Sequence, residues 1–261
     1  MNKERIKKLA ENPNFIPGIY NYCDRWCERC PFTCRCMNFA LSEEQFGNSQ
    51  ARDINDEAFW ARLSEIFQAT LEMLKETAKQ EGIDLDSIDL QATLDDEKAT
   101  DRMVASHECS RAAKTYGKMV ENWFESAKEA FEKKADELNL TMQLELPDSD
   151  PDGQAAELKD AVDIIRWYQY QIYVKLLRAI KGLHKNSQSP DEIHKIDANG
   201  SAKVALIGID RSEAAWGQIY KHFPQREGDV LEILVHLDRL RRKTETSFPD
   251  ARAFVRQGFD T

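Results

Sequence analysis

The feature that most constrains this chain is a cluster of cysteines near its start. Five of the six cysteines fall between Tyr22 and Phe39, in a stretch that Pro31 interrupts. Ordinary packing does not require such a density, and thiolates are strong ligands for zinc and for iron–sulfur clusters. The stretch therefore predicts a loop that binds a metal through some or all of its cysteines, which are Cys23, Cys27, Cys30, Cys34 and Cys36.

The charge of the chain argues against a general nucleic-acid-binding role. Its 261 residues include 46 acidic and 36 basic side chains, with a formal net charge of -10, whereas such proteins need a positive field to displace counterions from phosphates.

The first residues lack the apolar run of a secretory signal, and no later stretch approaches the length of a membrane span. We therefore expect a cytoplasmic protein without a membrane partner, where clustered cysteines bind metals more often than they form disulfides. A protein partner stays open, and the sequence does not specify the oligomeric state.

Apolar residues recur with the period of an α-helix along most of the chain. The stripes predict helices at about residues 53–81, 98–139, 155–183, 200–223 and 227–243, and each stripe is expected to face a core. The fourth helix is apolar on nearly all sides, which predicts that it is central. Alternating β-branched runs bounded by turns are absent, so no sheet is predicted. We expect an all-α fold with a bundle of about five helices at residues 49–261, preceded at residues 1–48 by an N-terminal arm that carries the cysteine-rich loop.

The first three cysteines are spaced C-x3-C-x2-C and can share one metal centre. Over eight residues this triplet resembles the cluster-binding motif of radical S-adenosylmethionine enzymes. Those enzymes place an aromatic residue before the last cysteine, where Arg29 stands here, and carry the motif on a β/α barrel that the helical pattern does not predict. That family is therefore excluded. Cys30 followed by Pro31 is similar to the Cys-Pro ending of ferredoxin motifs, but the ferredoxin cysteine spacing is absent.

Three interpretations of the cysteines stay open. The first is an iron–sulfur cluster with a redox or electron-transfer role, held by Cys23, Cys27, Cys30 and one more cysteine. The alternative is a zinc ion that staples the loop of a protein-interaction scaffold without catalysis. The third is no metal, with thiol chemistry or local packing in its place. We prefer Cys36 to Cys34 as the fourth ligand because Cys34 follows closely on the turn at Pro31. One thiol is then left over.

The remaining cysteine and the histidines give no further metal site. Cys109 lies in the apolar stripe of its predicted helix and is expected in the core, whereas the neighbouring His107 is expected at the surface. No histidine has a glutamate three residues before it. This excludes the Glu-x-x-His ligand motif of di-iron carboxylate bundles.

A third hypothesis for function is an enzyme with a pocket around Asp210. Asp210 lies in the apolar stripe of the predicted central helix, with Glu213 about one turn later, and burial of an unpaired carboxylate is costly. The structural interpretation is a buried ion pair with Arg241 or Arg178. The functional interpretation is an acid in a pocket, with His236 as its partner. Asp210, Glu213 and His236 are therefore the candidate catalytic residues.

Overall fold

The computed structural model describes residues 3–47, 53–87, 89–144 and 149–260. Within these ranges the structure is helical and has no strand, which confirms the predicted all-α fold. None of these helices combines the length and the apolar character needed to cross a membrane. The described ranges hold nine α-helices rather than about five: α1 (Lys3–Ala10), α2 (Met37–Phe46), α3 (Glu57–Gln80), α4 (Leu90–Ser106), α5 (Glu108–Ser126), α6 (Lys128–Gln143), α7 (Pro151–Gln188), α8 (Glu192–His222) and α9 (Glu227–Ser247).

Part of the difference in helix number arises because the predicted helix at 98–139 is interrupted twice. It corresponds to α4, α5 and α6, with breaks at His107 and at Ala127. His107 is the N-cap of α5, and its Nδ1 accepts the backbone N–H of Cys109 at 3.2 Å. Because imidazole is not among the usual N-cap side chains, the sequence did not signal this break.

The linker predicted at residues 146–154 is only partly described. Residues 146–148 lie outside the described ranges, and Asp150 and Pro151 already begin α7. Asp150 caps this helix by accepting the N–H of Gly153 at 2.8 Å. Proline suits the first helical position because its fixed φ is compatible and its missing N–H would have no helical partner there. Helix α7 therefore begins at Pro151, about four residues before the start that was predicted from the prolines and the glycine.

The structure divides into two compact units. Unit 1 comprises residues 1–98 and 255–261, and unit 2 comprises residues 99–254, so the boundary falls inside α4. We expected a boundary between residues 48 and 49. Those two residues lie outside the described ranges, and that boundary stays a prediction.

Helix α8 forms the centre of unit 2, as its nearly all-round apolar sequence predicts. It packs mainly on α7, with further contacts to α5 and α9. Close packing against α7 depends on Gly208, because a Cβ there would lie 2.9 Å from Cδ1 of Tyr168. The buried Trp216 meets Trp123 edge to face, with ring centroids 5.0 Å apart, and donates its indole N–H to the hydroxyl of Tyr116 at 3.2 Å. Unit 2 therefore has a continuous aromatic and aliphatic core.

Unit 1 buries far fewer apolar side chains. Helix α3 forms where its stripe predicts, and Asp56 caps it by accepting the N–H of Ala58 at 2.9 Å. The expectation that the whole stripe faces a core is wrong, because Phe67, Leu71 and Leu74 are 62%, 52% and 60% exposed. Among the described residues of unit 1, the buried apolar side chains are Leu9, Ile19, Ala69 and Ala78.

Candidate metal centre

The cysteine-rich segment is built from two short 3-10 turns that lead into α2. The turns span Cys27–Arg29 and Thr33–Arg35, and α2 begins directly after Cys36. The backbone N–H of Ile16 donates to the carbonyl of Arg35 at 3.0 Å, which ties the second turn to the preceding stretch of chain. These tight turns bring cysteines that are separated by two to five residues in the sequence to the wall of one cavity.

Four of the five clustered cysteines line one small cavity. These are Cys23, Cys27, Cys30 and Cys36, and the volume of the cavity is about 20 Å³. Cys34 is exposed and is not among the lining residues. The structure thus groups the three cysteines of the C-x3-C-x2-C triplet with Cys36, the member that we preferred as the fourth ligand. The rest of the wall is mostly apolar and aromatic, and includes Ile19, Tyr20, Trp26, Phe32, Phe39 and Phe259.

The C-terminal segment closes one side of this cavity. The ring of Phe259 packs edge to face on Phe32 with centroids 5.1 Å apart. Gly258 has a φ of +82°, and a Cβ there would lie 3.0 Å from the Cδ1 atoms of both Ile16 and Ile19. The sequence analysis missed Phe259, because a contact between residues more than two hundred positions apart leaves no signal in local spacing.

Backbone groups already contact two of the sulfurs. The N–H of Phe32 donates to Sγ of Cys30 at 3.4 Å, and the thiol of Cys23 donates to the carbonyl of Tyr20 at 3.5 Å. An N–H bond to sulfur stabilises the thiolate form, which is the form that binds metals. Cys36 immediately precedes α2.

Without a cation, the surroundings favour neutral thiols. Burial raises the pKa of the Cys27 thiol, and the neighbouring Cys23, Cys36 and Cys30 raise it further. Burial also raises the pKa of Cys30, which the N–H of Phe32 partly offsets. Several thiolates around one apolar cavity repel one another, so only a bound positive charge would make their joint deprotonation favourable.

The four thiols share a cavity without forming a coordination sphere. Across the ranges that the structure describes, no three His, Cys, Asp or Glu side chains are arranged as a metal-binding group. No disulfide joins the six cysteines, all of which are described. Cys109 is buried in unit 2 with its Sγ 3.7 Å from Oγ of Ser247, in the core position that we expected. The cysteine-rich metal-binding loop thus remains a prediction.

Asp210 has a different partner from those predicted. Its side chain is 43% exposed and accepts two hydrogen bonds from Arg252, one of them at 3.0 Å. The prediction of a buried pair with Arg241 or Arg178 is wrong, because Arg241 binds Asp238 and Arg178 donates to Asp197 at 3.1 Å. Asp210 lies at the edge of the core, where a carboxylate can pair with a residue from the chain that follows α9.

The two other candidate catalytic residues also have structural contacts. Glu213 lies 3.6 Å from Nε of Arg241, and burial raises the pKa of its carboxyl despite this arginine. Nε2 of His236 is 2.8 Å from the carbonyl oxygen of Ala112 on α5, so the ring N–H donates across the interface of α9 and α5. These contacts do not assemble an acid, a base and a nucleophile around one cavity.

Among the described candidate residues, those in unit 1 are the ones that the structure brings together. Four cysteines line one small, mostly apolar cavity, and thiolate sulfur is a ligand that thiophilic cations prefer. Comparisons with known proteins found no matching protein family, no matching curated protein and no matching solved structure.

Proposed function

We propose that this chain is a metal-binding protein with one cysteine-ligated centre, held by Cys23, Cys27, Cys30 and Cys36. The observation that carries the proposal is that these four thiols line the same cavity while the fifth, Cys34, is exposed outside it. A set of four sulfur donors satisfies both zinc and iron–sulfur chemistry. A reducing compartment such as the cytoplasm, which the sequence predicts, would keep the thiols in the form that metals bind.

The shortage of buried apolar side chains in unit 1 supports a structural role for this centre. Of the four buried residues among those that the structure describes in unit 1, two are alanines, and burial of a larger aliphatic side chain contributes only about 1.5–3 kcal/mol. This is small beside the conformational entropy lost when about a hundred residues are ordered. Structural zinc contributes about 10–16 kcal/mol in small domains. A metal would therefore supply stabilisation that apolar burial in unit 1 does not.

Elemental analysis of the protein purified without oxygen tests the proposal. We expect close to one metal centre per chain, lost when Cys23, Cys27 and Cys30 are replaced together by serine. Cys34→Ser and Cys109→Ser are matched controls, because each removes a thiol that does not line the cavity. Both controls should keep the metal. A native chain that is folded in unit 1 and contains no metal would contradict the proposal.

The iron–sulfur assignment, with its redox or electron-transfer role, uses the same four ligands. It would give a brown protein with absorbance near ~400 nm that bleaches on reduction. The zinc assignment gives a colourless protein and makes the centre a staple for an interaction scaffold. The small number of buried apolar side chains in unit 1 favours the zinc assignment. A unit with so small a core needs stabilisation from another source, and a structural zinc ion supplies it.

A second function, self-association through α3, is favoured by the exposed row on that helix. Trp60, Phe67, Leu71 and Leu74 are each more than half exposed, and their separations of seven, four and three residues match the a and d positions of a coiled coil. The positions beside the row carry little charge, so a second copy of α3 meets no strong repulsion. These flanking residues are Gln68, Lys75, Thr70 and Thr77.

Light scattering of the purified protein tests this second function. We expect the mass of a dimer at micromolar concentration, and a monomer after Phe67→Glu combined with Leu71→Glu. Gln80→Glu adds a charge at an exposed position of α3 away from the row and its flanking residues, and should leave the dimer intact. A wild-type chain that is monomeric at every concentration tested would rule out self-association through α3.

A further inference from the structure

The geometry points to a single tetrahedral zinc ion, rather than an iron–sulfur cluster, as the occupant of the four-cysteine cavity. This inference rests on the proposed function and names the metal. Cys23, Cys27, Cys30 and Cys36 would supply all four ligands, which is the closed arrangement of a structural zinc site. Such a site leaves no position open for water or substrate, so its role is to hold the chain together rather than to catalyse a reaction.

The size of the cavity is the first argument for a single ion. Its volume of about 20 Å³ is close to the roughly 10–15 Å³ that one water-sized sphere requires. An iron–sulfur cluster brings inorganic sulfides as well as several irons between the cysteines. To accept a cluster the walls would have to move apart. No three of the sulfurs are yet arranged as a metal-binding group, so binding of one ion would require them to rearrange to a metal–sulfur distance of about 2.3 Å.

The packing of one wall is the second argument. Phe259 packs edge to face on Phe32, and a Cβ at the neighbouring Gly258 would lie 3.0 Å from Cδ1 of Ile16 and of Ile19. Arg256 donates to Asp260 at 2.8 Å and lies 4.9 Å from the centroid of the Phe259 ring. Expansion of the cavity on this side would break the contact of Phe259 with Phe32.

The local chain geometry is the third argument. Cys27 and Cys30 form a C-x2-C pair on one 3-10 turn, the spacing by which many structural zinc sites present two sulfurs to one ion. Cys23 precedes this pair in the chain, and Cys36 immediately precedes α2. All four sulfur donors line the same cavity, which is the number that a tetrahedral ion requires.

The decisive experiment uses the full-length chain, purified without oxygen from medium that contains both zinc and iron. We expect one zinc per chain, no acid-labile sulfide, and an X-ray absorption spectrum with a single shell of four sulfurs at about 2.3 Å. Iron with labile sulfide in stoichiometric amounts would overturn the single-ion inference and leave the four-cysteine centre intact. A chain with no bound metal would overturn both.

A titration with cobalt(II) identifies the ligands. Metal-free full-length protein should bind one Co²⁺ with the visible spectrum of tetrahedral thiolate cobalt, and one equivalent of Zn²⁺ should displace it. Cys34→Ser should bind Co²⁺ as the wild type does, whereas Cys36→Ser should bind at least about tenfold more weakly and with an altered spectrum. Equal losses in the two variants, or saturation at more than one Co²⁺ per chain, would overturn the assignment.

Discussion

Helices α3 and α8 are both predicted by their apolar residues, and they end in opposite surroundings. Both are long, with 24 and 31 residues, and both carry apolar residues at helical spacing. The buried residues of α8 extend from Ala198 to Ile219, whereas those of α3 are Ala69 and Ala78. The difference is that α7 lies along α8, while α3 packs mainly on the short α1. A periodic stripe therefore predicts a helix, but its burial depends on whether a neighbouring helix of matching length is available.

The same contrast separates the two units. Unit 2 is stabilised by apolar and aromatic packing that needs no ligand. Unit 1 has little of this and concentrates its cysteines around one cavity. With the proposed metal centre in unit 1, the two units depend on different interactions, and perturbations that destabilise one should spare the other.

Removal of the proposed ligands should have the largest effect. We expect the combined Cys23, Cys27 and Cys30 to serine variant to lose amide-exchange protection throughout unit 1, since structural zinc is worth about 10–16 kcal/mol. Protection in α5, α7 and α8 should persist. The measurement is hydrogen exchange by mass spectrometry, with Cys34→Ser as the control. Unchanged protection in unit 1 would show that unit 1 does not depend on these thiols.

Replacement of a phenylalanine by alanine should give the next largest effect in unit 2 and a much smaller one in unit 1. Phe223 is buried and packs on Phe131 with centroids 4.8 Å apart, so Phe223→Ala should lower the free energy of unfolding of unit 2 by about 3–5 kcal/mol. Phe67 on α3 is 62% exposed, and Phe67→Ala should change the stability of the monomeric chain by less than about 0.5 kcal/mol. Urea denaturation, with hydrogen exchange to assign each loss to its unit, measures both at a protein concentration low enough for light scattering to show a monomer. Comparable losses at the two positions in the monomer would contradict the exposure of Phe67.

Two glycines on α8 test how tightly that helix is packed. A Cβ at Gly208 would meet Tyr168, so Gly208→Ala should cost about 1–3 kcal/mol. A Cβ at Gly217 meets nothing within 4 Å, and Gly217→Ala should stabilise unit 2 by about 0.5–1 kcal/mol because alanine is the better helix former. Thermal melts of both variants check this. A neutral Gly208→Ala would contradict the close approach of α7 to α8.

The ion pair of Asp210 should have a smaller effect. Because both partners are more than a third exposed, Asp210→Asn should destabilise unit 2 by about 0–1 kcal/mol, rather than the 3–5 kcal/mol of a broken buried pair. A urea titration of the variant and of Arg252→Gln measures the loss. A loss of several kcal/mol in both variants would indicate that the pair is shielded from water.

The last effect is a change in the pH dependence of stability at Glu213. Burial raises the pKa of this carboxyl in the folded state, so between the unfolded pKa and the folded pKa the folded chain binds more protons. Stability from this group is therefore present at low pH and falls as pH rises through the folded value. Relative to the wild type, Glu213→Gln should gain stability as pH rises from about 4 to 7. The difference between the two denaturation curves across this range is the readout, and a constant difference would contradict the direction of the shift.

Features that depend on local spacing could be predicted from the sequence. The helical stripes of α3 and α8 and the grouping of Cys23, Cys27 and Cys30 are of this kind, because neighbours on a helix or a turn are set by short separations. The break at His107 could not be predicted, since an unusual side chain provides its cap. The partner of Asp210 depends on the path of the chain after α9, which no local pattern specifies.

The position of Phe259 in unit 1 affects the order in which parts of the chain can reach their final structure during synthesis. Chains emerge from the ribosome at about 5–20 residues per second, and N-terminal regions generally fold first. Here the cavity between the cysteines lacks part of its wall until residues 255–261 have been made. The whole of unit 2 is synthesised in the interval. The cysteine segment, although it is made early, therefore reaches its final surroundings only after residues 99–254 have been made.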